Sequence, residues 1–453
     1  MDLQALVTRY DKPGPRYTSY PTVPVWSEAF GDAELREALA RSTADDLSLY
    51  VHVPYCERLC SFCACNRQIT QDHGVVAPYL EAIGRQAGQL AAGLGRERRA
   101  VQLAFGGGSP NFLDEQELGR LIDTIDEHFA PAPDAERSAE LDPRRTRPSQ
   151  LDVLAERRFT RVSFGVQDTD PRVLRAINRV QSEETIRELV RHARSRGIRS
   201  VNVDLIYGLP YQTVESFQGT LDRLEAIRPD RIALYSYAHV TWISKAQRGF
   251  ERKDLPDAQE KVAIFLAALS RLESAGYRHL GLDHFALPDD ELVIASDDGT
   301  LRRNFMGYTT RGGVEVLALG PSGISEIGGS YAQSAHDPDA WRESIAQGAL
   351  ATVKGFRLSP EDRERGWLIQ RLMCRGEIRG DRFEETFGRG LAERIPDLDG
   401  RLAPFVEDGL LTRTDHGYEV TRTGRLFLRV IAMTFDAHLK PPGEDQPRFS
   451  RTV

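Results

Sequence analysis

From residue 47 to about 282, short apolar runs alternate with longer stretches whose apolar positions recur every three or four residues. The runs at 47–53, 101–105, 137–141, 160–164, 200–207, 231–237 and 278–282 have the length and β-branched content of strands. Between them, 79–94, 114–129, 183–194, 214–227 and 259–275 carry the helical period. Strict alternation of strand and helix predicts a parallel sheet with helical crossovers, and six or so units predict an α/β fold built on a partial (β/α)6-type barrel. Ahead of it, residues 1–45 read as a short helix, a GPRYTSYP stretch (14–21) whose prolines forbid helix, and a second helix near 32–41. Beyond it, Pro and Gly density marks about 290–335 as loops. From 351 the chain turns to Arg- and Glu-rich helices, then a helix, a hairpin with a His-Gly turn and another helix start, which resembles a winged helix. Three parts follow: an N-terminal arm (1–45), a catalytic barrel with its following loops (46–350) and a mainly helical, winged-helix-like C-terminal domain (351–453).

A chain of 453 residues, 40% hydrophobic and 28% charged, can bury a large core. Its net charge of −8 argues against a nucleic-acid partner, which calls for a basic stripe, so an anionic substrate has to be met by local cations. The N-terminal residues lack a signal peptide's apolar core, and no apolar run is long enough to span a bilayer. These features predict a cytoplasmic protein with no membrane partner.

Four of the five cysteines fall within ten positions, as CxxxCxFCxC over 56–65, directly after the first predicted strand. Packing does not explain such crowding; thiolates this dense bind a soft metal or do redox chemistry. Two readings compete, a structural zinc site and an iron–sulfur cluster held by Cys56, Cys60 and Cys63. Structural zinc sites usually pair two separated ligand hairpins, and no second Cys or His pair has that spacing here. A cluster on three thiolates leaves one iron open for substrate. With Cys374 isolated, no disulfide framework is expected.

Polar and glycine positions follow nearly every predicted strand. They are the cysteine loop, GGGSP at 106–110, Glu140 with Asp142, Gln167 with Asp168, Asp204, and Ala238 with His239. Any one of these could be a turn or a cap, but all of them together point to one site at the C-terminal ends of the strands. The glycine loop is neither a P-loop nor GxGxxG; a tight turn is its plain reading, and close backbone approach to a ligand the functional one. Taken alone, Glu140 and Asp204 read as capped or ion-paired acids, Arg179 as a solvated helix-end cation and Tyr50 as core.

CxxxCxFCxC after this strand, with the arm at 14–21, resembles the radical S-adenosylmethionine enzymes, and within them the oxygen-independent coproporphyrinogen III oxidases. The resemblance runs over nearly the whole chain. It implies a 4Fe–4S cluster on Cys56, Cys60 and Cys63, with Phe62 beside it, and two molecules of S-adenosylmethionine. One would be lined by Gly107, Gly108, Ser109 and Glu140. The other would lie near Gln167, Arg179, Asp204, Ala238, Phe305, Met306 and Ile324. Tyr50 and Glu140 would be catalytic, Tyr50 near cluster and substrate, and the arm would cover the active site. Cys65 has no ligand role in this resemblance. The implied reaction is oxidative decarboxylation of two propionates of coproporphyrinogen III to vinyl groups, giving protoporphyrinogen IX. The partners expected are that tetrapyrrole and an electron donor such as a flavodoxin or ferredoxin, acting on a monomer. Arg16, Lys245 and Arg303 are candidate cations for the propionates.

The chain departs from the family pattern at Met306, where Gln is expected, and at Ser109, Gly323 and Thr241, where Thr, Ala and Pro are usual. A thioether cannot reproduce an amide's donor and acceptor. Met306 therefore motivates an alternative, a paralogous radical methyltransferase or other tetrapyrrole- or haem-modifying enzyme. A haem chaperone is a third reading, opposed by Cys65 and the arm.

Overall fold

A computed structural model describes residues 3–242, 244–439 and 449–452. Contacts gather the chain into two compact units rather than following its linear order. The larger is Ser27–Tyr277 with Gly313–Arg357, and the smaller is Met1–Trp26 with Arg278–Gly312 and Leu358–Val453.

In the larger unit the strands are β1 (Asp46–Val53), β2 (Arg99–Gly107), β3 (Ala130–Leu141), β4 (Arg161–Gln167), β5 (Ser200–Tyr207) and β6 (Arg231–Ser236), side by side and parallel. This is the parallel barrel sheet expected from the alternation, with several strands longer than the apolar runs showed. Along β1 the alternation explains the sheet's two faces. Leu47, Leu49, Val51 and Val53 are fully buried toward the helices, while Ser48, Tyr50 and His52 point to the other, inner face. The crossover helices start on side-chain caps, as where Asp114 accepts from the Glu117 amide and Thr213 from the Ser216 amide.

The expectation of loops over 290–335 is corrected. β7 (Glu315–Leu319) pairs in parallel with β1, and β8 (Ile324–Ile327), β9 (Ser330–Ser334) and β10 (Thr352–Arg357) extend the sheet antiparallel beyond it. Their glycines sit at the strand ends, which is why composition read as loop. Gly320, for example, has φ +93° against the His52 carbonyl, where a Cβ would not fit. The run 278–282 does form a strand, Arg278–Gly281, but it pairs antiparallel with His284–Ala286 in the smaller unit instead of adding a parallel barrel strand.

In the smaller unit, helix Pro360–Arg375 precedes a three-stranded antiparallel sheet with Glu377–Arg379 at one edge, Gly417–Val420 central and Leu411–Thr414 at the other edge. The hairpin turn is Asp415–His416, one residue before the expected His–Gly pair, because Thr414 and Gly417 close its register. The arm at 14–21 carries no helix and docks within this unit. Arg429 donates to the Pro15 carbonyl at 3.0 Å, Tyr17 to Asp436 at 3.0 Å, and Tyr20 accepts from the Ala437 amide at 2.9 Å. Among the described residues no helix is long and apolar enough to cross a membrane.

Candidate functional site

β1 ends in the cysteine loop, and that loop is tied down by backbone bonds. The Cys63 amide donates to the Cys60 carbonyl at 3.2 Å and the Ser61 amide to Ile177 at 3.0 Å. Ser244 and Gln247 donate to the carbonyls of Cys63 and Phe62, both at 2.8 Å. Phe62 packs on the cluster of Val173, Leu174, Ile177 and Tyr237. Cys60 is buried, and its Sγ accepts from Arg179 at 3.2 Å and from Arg144 at 3.3 Å.

The Cys65 thiol bonds Cys63, and with Arg67 and Arg179 nearby it holds Cys63 down to about 6 against burial. Burial, with the charges of Cys63 and Cys60, pushes Cys56 up to about 12. Burial is the larger cause at Cys56, and the added opposition of the neighbouring thiolates is one that a cationic centre between them would relieve. Among the described residues no three His, Cys, Asp or Glu side chains converge on a point that one ion could occupy. A donor set of three thiolates on one loop suits an iron–sulfur cluster, in which each thiolate takes its own iron.

The glycine loop at the end of β2 is pinned beside the cysteine loop. The Gly108 amide donates to the Val53 carbonyl at 2.7 Å and the Ser109 amide to Tyr55 at 2.9 Å. A Cβ on Gly106 would sit 2.8 Å from Glu140 Oε2 and 3.0 Å from the Tyr50 hydroxyl; one on Gly107 would strike the His52 ring, and one on Gly108 the backbone of Pro54 and Tyr55. These glycines are therefore required by close approach, and they leave a backbone-lined cradle with Glu140 at its side. Burial, then the charge of Asp204, pushes Glu140 up to about 7, against a bond from the Gly107 amide.

A polar chain joins the two loops. Ser109 donates to Asn111 Oδ1, which also accepts the Asp142 amide at 3.1 Å. The Asp142 carboxylate pairs with Arg144 at 2.6 Å and with Arg179 at 3.2 Å, the same two cations that reach Cys60. Sequence reasoning missed Arg144 and His52. An Asp-x-Arg after a strand, and a His two residues beyond Tyr50 on the same face, were the available signals. The Asn66 carbonyl 2.9 Å from His52 Nε2 only accepts, so that nitrogen carries the proton and Nδ1 accepts from the Tyr50 hydroxyl at 3.2 Å.

Of the other expected site residues, Gln167 and Arg179 meet over Gly165, and Asp204 accepts from Ser163 at 3.0 Å and from Asn202 at 2.8 Å. Ala238 is half-buried just past β6, and Ile324 opens β8. Phe305 and Met306 lie in the smaller unit, where Phe305 packs edge-on against Trp26 and the Met306 amide donates to Asn304 at 2.9 Å. In that unit Arg16 pairs with buried Asp283 at 2.8 Å and Arg303 donates to the Arg16 carbonyl at 2.7 Å. Lys245 is exposed in the larger unit.

Residues 50–224 match the radical SAM superfamily and residues 358–427 the HemN C-terminal domain. The chain is 42% identical over 452 residues to the oxygen-independent coproporphyrinogen III oxidase of Pseudomonas aeruginosa, covering 99% of this chain and 98% of that one. It is 40% identical over 449 residues to the Escherichia coli protein of the same name, again covering 99% and 98%. The solved structure of coproporphyrinogen III oxidase (HemN) from Escherichia coli, a radical SAM enzyme, superposes with a TM-score of 0.92 at 39% identity, over 96% of this chain and 99% of that one.

Proposed function

The chain belongs to the oxygen-independent coproporphyrinogen III oxidases of the radical SAM superfamily, and from that premise we propose that it converts coproporphyrinogen III to protoporphyrinogen IX in anaerobic haem biosynthesis. Each of two propionates loses a hydrogen atom from its β-carbon, then carbon dioxide and one electron, and a vinyl group remains. Its cofactors are a 4Fe–4S cluster and S-adenosylmethionine. When bound, the cluster supplies the electron that cleaves S-adenosylmethionine to methionine and the 5′-deoxyadenosyl radical.

The observation that carries this reading is the convergence of the Cys56, Cys60 and Cys63 loop with the 106–109 cradle and Glu140 at the ends of neighbouring strands. In this proposal the three thiolates hold the cluster, and Arg144 and Arg179 offset their charge at Cys60. The backbone at Gly107, Gly108 and Ser109 receives the methionine end of S-adenosylmethionine, and ionised Glu140 takes its amine. Tyr50 stays protonated, because burial and then the Glu140 charge raise it, and its O–H is spent on His52. In the larger unit, Gln167, Arg179, Asp204, Ala238 and Ile324 serve a second S-adenosylmethionine. Residues 46–350 carry the chemistry.

We further propose a low-potential donor such as a flavodoxin or ferredoxin, a monomeric enzyme and a cytoplasmic location. The free state of all five cysteines supports the last of these. The test is mass spectrometry of an anaerobic assay holding cluster-loaded protein, coproporphyrinogen III, S-adenosylmethionine and a reductant. Loss of two carboxyl groups with matching 5′-deoxyadenosine is expected; deoxyadenosine with an unaltered tetrapyrrole would overturn the substrate.

A further inference from the structure

The inner face of the barrel sheet continues past β1 into the antiparallel strands, and register fixes which residues share it. Ser48 pairs with Val316 and Tyr50 with Ala318, so those β7 side chains lie on the face that carries Tyr50 and Glu140. Val316 opposes Glu326, which brings Glu326 and, two residues away, Ile324 onto the same face. Ile324 opposes Gln333 and Gln333 opposes Lys354. Ile324, Gln333 and Lys354 therefore form a cross-strand row on the inner face, with neighbouring strands about 4.8 Å apart.

Two members of that row are incompletely satisfied. Gln333 is 5% exposed; its Nε2 donates to the Ser322 carbonyl at 3.3 Å, yet its Oε1 is buried without a hydrogen-bond donor among the described residues. Lys354 is half-buried and makes no ion pair or side-chain hydrogen bond among the described residues. The carboxylate closest in register, Glu326, sits one row away opposite Tyr331, bonds that residue, and is pushed up to about 7 by burial. His336 stands beside the row: burial first and the Lys354 charge second lower its pKa, and its carbonyl accepts from Asn66 at 2.8 Å, the residue that holds His52. A half-buried ammonium without counter-charge, next to a buried acceptor without donor, suits a ligand bearing both a carboxylate and an N–H. A tetrapyrrole with propionate arms and pyrrole N–H groups has both.

We propose that Lys354 and Gln333 anchor the substrate, with the Lys354 ammonium pairing a propionate carboxylate and Gln333 Oε1 accepting an N–H of the same molecule. This assignment rests on the tetrapyrrole reading above and names the part of the site that takes its carboxylate. The α-carboxylate of S-adenosylmethionine has the same chemistry, so the test must separate the two sources.

The experiment measures binding of coproporphyrin III, the stable oxidised form with the same propionates, to cluster-loaded enzyme by fluorescence quenching. S-adenosylmethionine binding and the KM for coproporphyrinogen III are measured alongside. Lys354→Met is expected to weaken coproporphyrin binding and raise that KM about 10- to 100-fold, the loss typical of a hydrogen bond to a charged group, with kcat little changed. S-adenosylmethionine binding should not move, and Lys354→Arg should recover most of the affinity. Gln333→Leu, which removes the acceptor and keeps the volume, is expected to cost about tenfold. Unchanged tetrapyrrole binding in a folded Lys354→Met enzyme would overturn the anchor while leaving the oxidase reading intact. Weakened S-adenosylmethionine binding would overturn the substrate assignment in favour of the cofactor. Native enzyme that fails to bind coproporphyrin at all would overturn both the anchor and the oxidase reading.

Discussion

Arg179 lies 3.2 Å from the Cys60 sulfur and the same distance from the Asp142 carboxylate, so one guanidinium links the cysteine loop to the end of β3. Removing it takes a cation and a donor from a sulfur that is to carry negative charge. Arg179→Met is expected to lower the cluster's reduction potential by about 60 mV, the one-electron equivalent of a tenfold change. Redox titration followed by electron paramagnetic resonance checks this, and an unshifted potential would place Cys60 outside the ligand set.

Glu140 titrates near 7 in the folded protein because burial and Asp204 disfavour its charge. Only the carboxylate can hold an amine, so S-adenosylmethionine affinity should rise about tenfold between pH 6 and 8 and be flat and weak in Glu140→Gln. The stability effect has the opposite sense. The carboxyl ordinarily titrates near 4.5, so its contribution is full below that and is lost as pH rises to 7, by about 3 kcal/mol at most. Calorimetric titration and denaturant unfolding across this range measure both.

His52 runs the other way. Burial lowers it to about 4 from an ordinary 6.5, despite the bond to the Asn66 carbonyl. The unfolded chain takes the proton first, so stability present above pH 6.5 is lost as pH falls toward 4, by about 3 kcal/mol. Glu140 opposes this over the same window, so the urea midpoint of the native enzyme is compared with that of His52→Gln at each pH, and the native enzyme's advantage should shrink as pH falls from 6.5 toward 4.

The glycines of the cradle differ in what they face. A Cβ at Gly108 meets backbone atoms of Pro54 and Tyr55 at 2.7 to 2.8 Å, which cannot yield, so Gly108→Ala should cost about 3 kcal/mol of stability. At Gly106 it meets the ends of the Glu140 and Tyr50 side chains. Gly106→Ala should keep the fold and reduce deoxyadenosine formation at least about tenfold, since a misplaced binding group is costly to rate. Thermal unfolding and product assay together separate the two outcomes.

Met306 stands where the family pattern has Gln. If that amide serves the second S-adenosylmethionine, Met306→Gln should tighten the weaker of two binding events about tenfold, within the range for one restored hydrogen bond. Equilibrium dialysis with labelled cofactor reads the stoichiometry and both affinities; no change would remove residue 306 from that site.

What the sequence determined by itself was local or strictly periodic. Strand–helix alternation announced the parallel barrel, and ten residues holding four cysteines announced the cluster chemistry, because neither depends on distant partners. Glu140, Gly107 and Gly108 were legible as candidate site residues because they end strands. The tertiary structure alone decided what side chains do once strands are in register. It turned the glycine-rich 313–335 into sheet, since pairing with β1 outweighs local turn propensity. It spent Arg16 and Arg303 on Asp283 and a carbonyl, and put Arg144 on Cys60, choices that composition cannot rank among 59 basic residues. And it set Lys354, some three hundred positions from Tyr50, on the same face of one sheet, because a side chain's neighbours in a sheet follow from register and not from distance along the chain.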